Sequence, residues 1–132
     1  MTPVDMEFLK EAGHVGDCVR ACTASLLGID RSDVPHFVRD HAGGWRGPWT
    51  DWLEDRGLAV VEIDPRHRPD CFYLACGPTH RPGGDHPAAH MVVMQHIGLA
   101  HDPHPSRAGI STVDRVYLIV PKDIGAFLTK ET

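Results

Sequence analysis

A chain of 132 residues with 42% apolar residues and a net charge of -5 is neither a disordered protein nor a basic, non-specific nucleic-acid binder. Its length predicts a single domain, 1-132, with one core and no need for covalent staples. Ten histidines make its surface charge sensitive to pH near their ordinary pKa of about 6.5. The acidic N-terminus carries no apolar leader segment, and no apolar stretch approaches the roughly 20 residues of a membrane helix. A cytoplasmic protein without membrane partners is therefore expected, with Cys18, Cys22, Cys71 and Cys76 reduced.

In chain order, a lead-in over Thr2–Val15 carries a short helical turn near Met6–Lys10 that stops before Gly13. The main helix follows from about Asp17 to Leu27. Asp17 is placed to cap it, Val19, Cys22 and Leu26 recur at helical spacing, and Gly28 suits a left-handed stop. Ser32 or Asp33 caps a short second helix with Pro35 in its first turn, broken by Gly43-Gly44. A third helix lies within Trp45–Gly57, with Trp49, Trp52 and Leu53 as its apolar stripe. Strands are predicted at 58–63, 71–76, 89–96 and 115–120, with a tight turn at Ile97-Gly98 and a polar loop over 79–88. The tail from Lys122 is weakly helical or frayed. Helices first and an antiparallel sheet second predict an α+β fold.

Cys18 then opens the main helix, where the dipole and the free N–H groups favour a thiolate. His90 opens an apolar strand, and Asp102 stands one hairpin later before Pro103. A nucleophile, a base and a group that orients the base make up the thiol-hydrolase arrangement. Strict hairpin pairing about the 97–98 turn does not set His90 and Asp102 opposite each other, so the reading requires a bulge or a reach from the following loop.

Asp17-Cys18 opening an alanine-containing helix, His90-Met91-Val92-Val93 and Asp102-Pro103 together resemble the papain-like cysteine peptidases. The nearest group is the bacteriocin-processing one that cleaves double-glycine leaders. Val34-Pro35-His36-Phe37 and the stretch 101–109 also resemble small stand-alone papain-like proteins of phage and bacteria. The resemblance spans roughly Gly16–Val120 and implies a papain-like fold, with the nucleophile helix packed on a C-terminal sheet. It implies a Cys18–His90–Asp102 peptidase or amidase acting on a peptide or protein substrate without cofactor or metal. Such peptidases use a glutamine upstream of the cysteine as an oxyanion donor. Here the only glutamine is Gln95, so His14 is the candidate donor beside the Cys18 N–H. Asp17, His36, His104 and Arg107 are candidates to line the cleft. Cys22 reads as core, and Cys71 and Cys76 as strand residues without a role.

Two other readings stand beside the enzyme. The absent upstream glutamine also fits a weak or inactive papain-like domain that binds a peptide or protein partner. His86, His90, His101 and His104, with Asp85 and Asp102, offer imidazole and carboxylate groups to a structural zinc ion.

Overall fold

The computed structural model describes residues 1–79, 89–125 and 128. Three helices, α1 (Cys18–Leu27), α2 (Phe37–Asp40) and α3 (Arg46–Glu54), pack against a sheet. Its strands are β1 (Leu58–Ile63), β2 (Phe72–Pro78), β3 (Ala89–Gln95), β4 (Gly98–His101) and β5 (Arg115–Pro121). Their order is β1-β5-β2-β3-β4, and every neighbouring pair is antiparallel. The expected α+β architecture is what forms.

Alternation along β2 and β3 divides the core in two. Leu74, Met91 and Val93 face the helices, where they meet Val19, Cys22 and Trp49. Tyr73, Ala75, Val92 and Met94 face the other way and are covered by Ile110 and Val113. The loop carrying those two residues lies directly on the sheet. Its Ser111 and Asp114 N–H groups donate to Pro78 and Cys76 carbonyls, each at 2.8 Å. A Cβ on Gly77 would stand 1.8 Å from the Thr112 carbonyl oxygen, so glycine is what permits the approach.

Gly28 ends α1 in the left-handed conformation, with φ 68°, as its position predicts. Three local expectations are corrected. The lead-in forms a 3-10 turn at Lys10–Ala12 rather than a turn over Met6–Lys10. A 3-10 turn at Arg31–Asp33 takes up Ser32 and Asp33, and α2 starts only at Phe37. His36 caps it, because Nε2–H donates to Val15 O at 2.9 Å and leaves Nδ1 to accept the Arg39 N–H at 3.3 Å. The β3–β4 turn is His96-Ile97, with His96 at φ 53°, one residue earlier than expected. The polar loop at 80–88 and most of the tail lie outside the described residues.

Candidate active site

Asp17 does not cap α1. Its buried carboxylate turns back to accept the N–H groups of Glu7 (3.1 Å) and Phe8 (3.0 Å), and it lies 3.6 Å from Arg20 Nη1. Arg20 also bonds Glu7 and the carbonyls of Arg31 and Val34. Three segments are thereby locked around the start of α1, and no side chain caps its first turn. Cys18 stands in that turn, partly exposed.

Four residues further on, Cys22 is fully buried and donates its thiol to the Met91 carbonyl at 3.2 Å. Burial holds its pKa well above the ordinary thiol value, followed by the nearby charges of Cys18 and Cys76. Cys22 is a core residue that ties α1 to β3.

That tie sets Cys18 beside the first residues of β3. The Cys18 thiol and the His90 imidazole are hydrogen-bonded. On the other side of the ring, His90 Nε2 lies 2.7 Å from Asp102 Oδ1. The same carboxylate accepts the backbone N–H of His104 on Oδ1 at 2.9 Å and that of Gly109 on Oδ2 at 2.7 Å.

The bulge that the pairing problem requires is present. Gln95 pairs with Gly98 and Met94 with Leu99, but Val93 pairs with His101, so Ala100 is extra. An unbroken register would run on to set Asp102 level with Met91, whose side chain lies in the helix-side core. The extra residue brings it level with Val92 instead, on the alternation that His90 shares.

Burial alone would lower the His90 pKa. The hydrogen bonds to Asp102 and Cys18, and their negative charges, outweigh it and raise the pKa to about 9. For Asp102, burial pushes upward, but the bonds from His90 and the two backbone N–H groups win and hold it at about 2. The two shifts set opposite pH limits. Stability from His90 is fully present below its ordinary 6.5 and is lost as pH rises through about 9. Stability from Asp102 is present above 3.8 and is lost as pH falls through about 2. Urea denaturation is expected to show the alkaline loss, on the order of 3 kcal/mol across that window, in wild type and not in His90→Gln. Equal slopes in the two proteins would contradict the pairing.

The pair opens onto a cavity of about 230 Å³ walled by Met6, Val15, Val19, Val38, Trp45 and Met91. Lys10, Cys76 and Ala89 complete the wall around Cys18 and His90. Burial first, and the Cys18 charge second, raise the Cys76 pKa to about 12, so this thiol stays protonated.

None of the four residues expected to line the cleft does so. Asp17 is buried behind it, and His36 caps α2 against Phe8. His104 sits edge-on to His90 at 6.3 Å, with Nε2 on Glu11 and Nδ1 accepting from Ser106 N–H. Arg107 grips Asp5 and the Asp102 carbonyl. His14 is exposed against Phe8, 5.4 Å between ring centres, and is not part of the cavity wall. Sequence reading missed Met6, Lys10 and Val38, which reach the cavity only because Asp17 and α2 fold the flanking segments over it. Among the described residues no group of three or more His, Cys, Asp and Glu side chains is gathered to hold a metal. Asp85 and His86 lie outside them. No helix is long and apolar enough to cross a membrane. No protein-family model, curated protein or solved structure matches the chain.

Proposed function

We propose that this protein is a thiol-dependent hydrolase of peptide or amide bonds, built on a papain-like arrangement of helix and sheet. The observation that carries the reading is an imidazole held between a buried carboxylate and a helix-opening thiol at the mouth of an apolar cavity.

His90, fixed through Nε2, takes the Cys18 proton on Nδ1. The sulfur attacks the substrate carbonyl, and the carbonyl π electrons move onto oxygen, where the uncapped Cys18 N–H is a donor. Collapse expels the amine, which takes its proton from His90 and leaves an acyl-thioester. His90 then removes a proton from water, hydroxide adds, and the thiolate departs and regains its proton. An amine in place of water would make the same apparatus an acyltransferase.

Cys71, exposed on the surface, is an internal standard for the test. At pH 7 iodoacetamide is expected to alkylate Cys18 well ahead of Cys71, resolved by peptide mass spectrometry. His90→Ala, with its circular dichroism unchanged, is expected to lower the Cys18-to-Cys71 ratio about 10- to 30-fold, because a thiol without a base is only a few per cent ionised at neutral pH. Equal labelling of the two cysteines in wild type would remove the enzyme reading and leave a domain that binds without reacting.

A further inference from the structure

The cavity wall is apolar except at four places: Cys18, His90, Cys76 and Lys10. No aspartate or glutamate is among its lining residues. Whichever atom of the Cys18–His90 pair holds the shared proton, that pair is neutral overall, and Cys76 keeps its proton. Lys10 therefore leaves the cleft with a net positive charge on a protein whose overall charge is -5.

The neighbouring charges of the lead-in are taken. Asp5 is held by Arg107 and His101, Glu7 by Arg20, and Glu11 by His104. Lys10 has no ion-pair partner among the described residues, and its side chain is exposed at the rim. The backbone beneath it is anchored, with Gly13 N–H donating to the Lys10 carbonyl at 3.0 Å and the Asp17 carboxylate holding the two residues before Leu9. A lone cation on a fixed turn over an apolar hollow favours one kind of ligand.

Resting on the hydrolase reading above, we infer that the cleft selects an acyl segment with an apolar side chain in the cavity and a carboxylate at the rim, paired with Lys10. The volume of about 230 Å³ is smaller than the roughly 300–1,000 Å³ of pockets that enclose a whole drug-sized ligand, so it takes a side chain and leaves the rest of the substrate outside. The carboxylate is either a chain terminus or an acidic side chain, and the probes separate these sources.

Chloroacetyl-leucine is compared with chloroacetyl-leucinamide, and chloroacetyl-leucyl-aspartamide with its asparagine counterpart. In each reaction the Cys18 sulfur displaces chloride and forms a thioether. Wild type is expected to favour the acid of at least one pair, and the favoured pair names the source. The acid-to-amide rate ratio is expected to fall about three- to fivefold in Lys10→Gln and to invert in Lys10→Glu, and the wild-type preference to shrink with added salt. His90 adds the same attraction in all three proteins, so the change in ratio belongs to Lys10. An equal ratio in the three proteins, with Cys18 still alkylated, overturns the carboxylate inference and leaves the hydrolase reading intact. Failure of every probe to alkylate wild-type Cys18 overturns both.

Discussion

Asparagine at position 102 is expected to slow amide hydrolysis about 10²- to 10⁴-fold while leaving a folded but weaker protein. The reason is a count of donors. Asp102 faces three hydrogen-bond donors: His90 Nε2 and the His104 N–H on one oxygen, and the Gly109 N–H on the other. An amide has one oxygen and one NH₂. With its nitrogen toward Gly109, two donors meet in a buried site, at a cost of about 1–3 kcal/mol. With its nitrogen toward His90, Nε2 must accept, which puts the ring proton on the side that has to receive the thiol proton. Two measurements check this without a known substrate. By NMR, the His90 titration is expected to fall from about 9, since its hydrogen bond and charge partner is lost. The rate of Cys18 alkylation at neutral pH is expected to fall with it. An unmoved titration and an unmoved rate would show that Asp102 does not govern the imidazole.

Trp49→Ala is expected to remove about 3–5 kcal/mol of stability, enough to unfold much of a domain whose total lies near 5–15 kcal/mol. Trp49 is completely buried between α1 and the sheet. Its Nε1 donates to Thr23 Oγ1 at 3.0 Å, and its ring meets Tyr117 edge-on with centres 5.5 Å apart. Truncation leaves a cavity between the layers, at the junction that holds α1 against β3. The urea midpoint is expected to drop, and Trp49→Phe to recover most of the packing without the hydrogen bond. A loss below about 1 kcal/mol for alanine would mean that the layers close over the gap.

Much of the fold was legible because the deciding contacts are local. Val19, Cys22 and the following left-handed Gly28 carry α1 in their spacing, and β1 runs over the predicted residues 58–63. Helix starts were less legible. Asp17, Ser32 and Asp33 all have capping side chains, yet none is used at the predicted helix start. Asp17 finds the backbone of Glu7 and Phe8, ten and nine residues away, and a distant partner of that kind has no sequence period. His36, a residue seldom read as a cap, takes that role because Val15 fixes its tautomer.

The candidate site divides along the same line. By itself, the sequence determined that a thiol opens a capless or capped apolar helix, that a histidine opens a buried strand, and that an aspartate follows one hairpin later. Residue type and spacing carry those facts. Only the tertiary structure decided that His90 and Asp102 meet, because one extra residue, Ala100, shifts β4 against β3 and changes which residues come level. Only it decided that Lys10, Met6 and Val38, rather than His14, His36, His104 and Arg107, reach the cavity. A cavity wall is assembled from segments far apart in the chain, held by long-range bonds such as those of Asp17 and Arg20, and no local pattern encodes which side chains those bonds bring to it.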